Sequence, residues 1–246
     1  MESDWKSRLA ARESETHFVV EGRHAVERLQ ASSYEVDKVV VIGKDLSREE
    51  ASSLLGFHFH RSHLAVARKP ANESLEALGR GTVVVLPEIA DPGNLGTIIR
   101  NTAALGGSGI LLGKGASPWN AKAIRASAGT LFRLPIRRSP DLIDDLKALT
   151  RTHRLLGTSL SSRSLLLNDL PSPEHPVALL LGPEDFGLSN EIEDLCHHLV
   201  RLPMAREVDS LNVASASAIF LHHLQQMDKG KTSRCLTPEK QRGSQT

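Results

Sequence analysis

Short runs of valine, leucine and isoleucine recur along this chain. Between them lie longer stretches whose apolar positions fall three or four residues apart. The first pattern marks buried strands and the second amphipathic helices. In the N-terminal third, 18–20 is a brief apolar run, 24–29 can form a helix, and 36–42 reads as a strand closed by Gly43. Ser47 with Glu50 three residues on is a capping box, which starts a helix over 47–55. The alternation Phe57-His58-Phe59-His60 predicts an edge strand, and 63–66 extends a further element. From position 83 the runs become regular. Strands are expected at 83–86, 109–113, 134–136, 154–158, 177–181 and 199–203, with helices over 97–105, 121–128, 141–149, 189–193 and 211–227. Alternating strands and helices give an α/β fold with a mostly parallel sheet. The expected domains are a small α/β domain over 1–78 with a flexible N-terminal tail, a larger domain over 79–228, and a disordered basic tail over 229–246.

One junction carries more than a connection. After the strand at 83–86, Asp91-Pro92-Gly93-Asn94 reads as a tight turn, with Pro92 fixing φ and Gly93 free to take positive φ. The helical run over 97–105 follows, and Gly106-Gly107 stops it. Asn94 stands at the mouth of this turn and Arg100 within the first helical turns. Strand-to-helix turns of this kind are where α/β proteins place ligand and catalytic groups. A second glycine-bounded loop, over 182–189, leaves the apolar strand at 177–181.

Composition narrows the class. The chain has 246 residues, 40% hydrophobic and only 4% aromatic, so its core must be aliphatic. No apolar run approaches the roughly 18–20 residues of a membrane span. The charged N-terminus lacks the apolar segment of a signal peptide, so a cytoplasmic location with no membrane partner is expected. Cys196 and Cys235 show no CxxC pattern and read as two plain thiols. His58, His60 and His63 have no partner cysteine or HExxH motif, so no metal is expected. A Walker A motif and a strand-linked GxGxxG are both absent.

The net charge of +1 conceals an uneven distribution. Over 91–138 seven Lys or Arg face Asp91 alone, whereas over 139–228 six basic residues face thirteen acidic ones. A basic segment beside a catalytic-looking turn suits a polyanion such as nucleic acid. Arg125, Arg133, Arg137 and Arg138 are the candidates for contact with an RNA backbone.

Three ordered stretches carry a resemblance: DPGNLGTIIRNTAALG at 91–106, LLLGPEDFGLS at 179–189 and RLPMAREVDSLNVASASA at 201–218. Together they resemble the SpoU class of the SPOUT superfamily, the S-adenosylmethionine-dependent RNA ribose 2′-O-methyltransferases. SPWNAKAIRASAG at 117–129 is similar too, and the match covers roughly 83–227. The resemblance implies a parallel sheet with a C-terminal trefoil knot, whose loops form the cofactor pocket. It further implies a homodimer with active sites at the subunit interface, and an N-terminal domain like the ribosomal-protein-like module that binds RNA. Its cofactor contacts fall on Gly182, Leu202, Met204 and Leu211, and its polar catalytic positions on Asn94, Arg100, Glu184, Ser210 and Asn212. Arg100 would grip a phosphate and activate the ribose hydroxyl. One departure is Arg206, where the family commonly has glycine two residues after the motif Met. The implied activity is methylation of a ribose 2′-hydroxyl in structured RNA, ribosomal rather than transfer RNA being favoured. The alternative is a non-catalytic RNA-binding paralogue of the same fold.

Overall fold

The computed structural model describes residues 4–183, 185–205 and 210–235, with the side chains of 229–235 left aside. The chain begins with α1 (Asp4–Ala11), β1 (His17–Glu21), α2 (Arg23–Gln30), β2 (Val36–Val41), α3 (Arg48–Leu55) and β3 (His63–Arg68). The three strands form an antiparallel sheet in the order β1-β3-β2. Ser47 caps α3 with both halves of the expected capping box. The alternation at 57–60 is not a strand. Phe59 is buried there, with its backbone N–H donating to Ser52 Oγ on α3 at 3.0 Å, while the exposed rings of His58 and His60 stack 5.4 Å apart. Burial of one aromatic in a loop therefore mimics the strand period.

A larger unit follows: β4 (Thr82–Ile89), α4 (Pro92–Ala104), β5 (Gly107–Gly115), α5 (Ala121–Ala126), β6 (Ile136–Arg138), α6 (Leu142–Leu149), β7 (Arg154–Thr158), β8 (Leu165–Leu166), β9 (Val177–Leu180), α7 (Asn190–Leu195), β10 (His198–Arg201) and α8 (Val213–Cys235). Its seven strands are all parallel, in the order β6-β5-β4-β9-β7-β10-β8. Parallel pairing gathers the carboxyl ends of β4, β7, β9 and β10 on one edge of the sheet.

Several boundaries differ from expectation, and the stretch expected as a flexible N-terminal tail contains α1, whose Leu9 is fully buried. The turn at 91–94 is the first turn of α4 itself. Asp91 is its N-cap, accepting from the Asn94 backbone N–H at 2.8 Å, and Pro92 occupies the first helical position, where no donor is needed. At the other end, α8 continues past Asp228 to Cys235, where the tail was expected to be disordered; 236–246 lie outside the described residues.

The strand period of two distributes side chains between cores. Val84, Leu86, Ile110, Leu112, Leu179 and Val200 face α4, α5 and α8, while Val83, Val85, Leu111, Leu155 and Leu180 face α6 and α7. The first of these cores does not stop at the large sheet: Phe18, Val20, Ala65 and Ala67 of the small sheet belong to it. At the joint, Phe18 and Tyr34 of the small unit meet Trp119 and Phe132 of the large one, with ring centroids 5.0–6.2 Å apart. Such pairs contribute about 0.5–1.5 kcal/mol each beyond area burial. Gly96 lets α4 touch α5, since a β-carbon there would lie 2.2 Å from the Ala123 carbonyl oxygen.

Candidate active site

At the carboxyl ends of β7, β9 and β10 the chain makes three loops, and between them lies a cavity of about 430 Å³. Gly182 leaves β9 into it, Leu202 and Met204 leave β10, and Ser210 and Leu211 lead into α8. The four positions expected to hold cofactor thus line one cavity together with Ser210. Val213 and Phe220 of α8 complete an apolar wall.

Gly182 is dictated by its own loop. A β-carbon there would sit 2.6 Å from the Gly187 carbonyl carbon and 2.7 Å from the Leu188 nitrogen. The loop folds back because the Gly187 N–H donates to the Pro183 carbonyl at 3.0 Å, with Gly187 at a φ of 66°. The obstacle to a side chain at this position is backbone of the same loop. Glu184 and Arg206 lie outside the described residues.

The first and third motifs meet through asparagines. Asn212 Nδ2 donates to Asn94 Oδ1 at 3.0 Å, and Asn212 Oδ1 accepts from the backbone N–H groups of Ala214 and Ser215 at the start of α8. Asn101 Nδ2 donates to the Ala214 carbonyl and to Ser217 Oγ, both at 2.9 Å. Asn101 was not anticipated, although it lies seven residues after Asn94 and so on the same helix face. Arg100, its neighbour, is exposed, does not line the cavity, and makes no hydrogen bond or ion pair among the described residues. Thr158, Ser159 and Glu193 line the cavity without any motif having marked them. Glu193 pairs with Arg163 at 3.0 Å, which links the loop after β7 to α7.

The four candidate RNA-binding arginines separate into two kinds. Arg137 grips the Asp145 carboxylate with Nε and Nη2 at 3.0 and 3.2 Å and donates to the Glu73 carbonyl at 2.8 Å. Arg138 donates to the carbonyls of Gly113 and Ala116 at 2.6 and 2.7 Å, and burial lowers its pKa. Both thus brace the fold, each holding protein acceptors with more than one guanidinium nitrogen. Arg125 and Arg133 are exposed. Burial also pushes the Cys196 thiol up to about 12, and its Sγ donates to the Ile192 carbonyl, so it is an unreactive structural thiol. Among the described residues no helix is long and apolar enough to cross a membrane, and no group of three or more His, Cys, Asp or Glu could hold a metal ion.

Comparison with known proteins places this arrangement. The 23S rRNA (guanosine(2553)-2′-O)-methyltransferase RlmP of Bacillus subtilis is 30% identical over 90% of this chain and 94% of its own length. An uncharacterized tRNA/rRNA methyltransferase of Mycobacterium bovis is 34% identical over 72% of this chain, which spans 63% of that relative's length. Among solved structures, an AdoMet-bound rRNA methyltransferase from Sinorhizobium meliloti superposes with a TM-score of 0.79 at 26% identity, covering 90% of this chain and 92% of the other. The model of the SpoU rRNA Methylase family matches residues 81–222, more than half of the sequence, and the chain belongs to that family.

Proposed function

We propose that this protein transfers a methyl group from S-adenosylmethionine to a ribose 2′-hydroxyl of RNA, ribosomal RNA being the favoured substrate, in the cytoplasm. The observation that carries the reading is the convergence of the second and third motifs on one cavity, with the first motif tied to the third by the Asn94–Asn212 hydrogen bond. The cavity suits the donor: its volume falls in the range of small-molecule sites, and Leu202, Met204, Leu211 and Phe220 offer apolar walls for an adenine. The loop backbones beside Gly182 and Leu202 can pair with the polar edge of the base. Bound there, S-adenosylmethionine supplies a methyl group on a positively charged sulfur.

The residues of the chain do the positioning. Asn94, Asn101 and Asn212 fix α4 against the start of α8, and so fix where Arg100 projects. A guanidinium stays protonated, so Arg100 serves by gripping a phosphate next to the target ribose and lowering the hydroxyl's pKa rather than by taking its proton. Ser210 and Asn212 orient the substrate near the cavity, and Glu184 holds Arg100 or the ribose. Methyl transfer needs the attacking oxygen in line with the transferred carbon, so these contacts act mainly through orientation.

The working unit of this reading is a homodimer. Arg100 stands outside the cavity of its own chain, so a second copy brings the two together. Leu160, Phe186 and Leu211 at the cavity rim and Ile219 on α8 are large apolar side chains 41–89% exposed, a surface suited to burial by that copy. Mapping of 2′-O-methylation in total RNA from cells with and without the gene tests the function. Loss of one ribose methylation in ribosomal RNA is the expected result, and identical maps refute the reading.

A further inference from the structure

Where the small sheet meets α5, three guanidiniums converge on one buried carboxylate. The Glu21 side chain, at the end of β1, is 4% exposed. Arg12 Nη2 lies 2.5 Å from its Oε1, while Arg125 Nη1 and Arg61 Nε lie 3.9 and 4.0 Å from its Oε2. One carboxylate balances one of these charges and leaves two. Beside them opens a cavity of about 300 Å³, walled by Arg12 and Glu13 from the small unit and by Asn120, Lys122 and Arg125 from the large one.

The other acids nearby are engaged. Glu13 accepts from Lys69 at 2.8 Å and from Ser117 at 2.5 Å, and Asp91 accepts from Lys122 at 2.5 Å. The cavity therefore keeps surplus positive charge, and it is reachable, because the side chains of Arg125 and Lys122 are 47% and 55% exposed. Among the described residues no aromatic ring lines it, so they offer nothing on which to stack a base. The surplus charge, the open mouth and the missing stacking platform together suit a phosphodiester.

The position of the cavity links it to the proposed chemistry. A β-carbon on Gly93 would lie 3.0 Å from Lys122 Cε, so the first turn of α4 abuts the cavity wall. Arg100 follows seven residues later on the same face of that helix, about 10 Å along its axis.

Resting on the RNA methyltransferase reading, we propose that this cavity seats a backbone phosphate of the substrate RNA, held by Arg12 of the small unit and by Lys122 and Arg125 of the large one. Contacts of this type carry no sequence information but fix register and orientation. The seat would align the strand so that the target ribose comes to Arg100. Its construction from both units explains a function for the small domain beyond affinity alone.

The test uses the full-length Lys122→Gln/Arg125→Gln double variant and an in vitro transcript of ribosomal RNA in filter binding across a salt series. The seat neutralises one phosphate, so the double variant should have a salt slope shallower by about 1 and bind at least roughly tenfold more weakly at low salt. Calorimetric binding of S-adenosylmethionine should be retained. If the double variant melts early, Arg125→Gln alone should still weaken binding at low salt and flatten the slope. An unchanged affinity and slope in a variant with the wild-type melting temperature overturns the seat. So does inorganic phosphate that raises the melting temperature of the wild type but not of the variant while RNA binding is equal in both, since that assigns the cavity to a free anion. A wild-type protein that neither binds nor methylates RNA sinks the parent reading instead; an active wild type with an indistinguishable variant sinks the seat alone.

Discussion

Gly182 has no room for a β-carbon, and what it would strike is the backbone of Gly187 and Leu188, the far side of its own loop. That loop is a wall of the proposed cofactor cavity, so Gly182→Ala should act on binding through shape. Overpacking of this kind costs about 1–3 kcal/mol, and displaced walls should weaken S-adenosylmethionine binding by roughly tenfold or more. Calorimetry beside a thermal melt checks both; a variant with wild-type affinity would show that the loop is not part of the site. A second residue governs pH dependence. Burial holds His153 below the ordinary histidine range, against weaker support from the carbonyls of Gly79 and Gly81. Its folded-state pKa is thus depressed, so the unfolded chain binds the proton more readily. The stability it contributes is complete above about 6.5 and is lost as pH falls through the lower folded value. Melting temperatures measured from neutral pH downward should fall more steeply in the wild type than in His153→Gln. Equal slopes would mean that His153 does not carry the effect; some slope should persist in the variant, because burial lowers His197 as well.

At the scale of elements, the contact between α4 and α8 is the joint that assembles the site. Asn101 contributes two hydrogen bonds to α8, one of them to the buried Ser217. Asn101→Ala leaves the Ala214 carbonyl and the Ser217 hydroxyl with fewer partners, a loss of about 1–3 kcal/mol in denaturant unfolding. A change below about 0.5 kcal/mol, the range of ordinary surface positions, would contradict the role given to this joint. The elements themselves were largely legible, because the valine-rich run of β4 and the apolar run of β9 are buried on both faces and the Ser47 capping box is satisfied in full. The misreadings have separate causes. The loop at 57–60 imitates a strand through one buried ring, and β8 has two residues, too few to show a period. Asp91-Pro92-Gly93-Asn94 has turn composition because a helix N-terminus and a turn ask for the same residues. Arg137 and Arg138 read as free charge because sequence gives the sign of a side chain but not its partner; Asp145 comes within reach of Arg137 only when α6 folds back beside β6.

At the scale of the molecule, two sheets share one core through four of the chain's nine aromatic residues. The small unit is thereby held against α5 rather than hung from a bare linker, and Asn72 exchanges hydrogen bonds with the Arg138 backbone at both ends of its amide. The trefoil knot implied by the family likeness would be formed by the loops around β9 and β10 that wall the cavity, which would make the cofactor site and the threading of the chain one feature. The proposed homodimer has a direct consequence. Replacing Ile219 by Glu, on the exposed face of α8, should convert a dimer in sedimentation at micromolar concentration to monomer and abolish methyl transfer together with it. A fully active monomer would refute the shared site.

The central claim is ribose methylation that depends on Arg100. It is tested most directly by single-turnover transfer of radiolabelled methyl from S-adenosylmethionine to a ribosomal RNA transcript, followed by digestion to nucleosides. The wild type should yield one 2′-O-methylated nucleoside. Arg100→Ala should fold and bind S-adenosylmethionine, because its side chain lies outside the cavity, yet transfer at least roughly 100-fold more slowly. Label found on a base instead of a ribose, or near-normal transfer by a well-folded Arg100→Ala protein, would contradict the account.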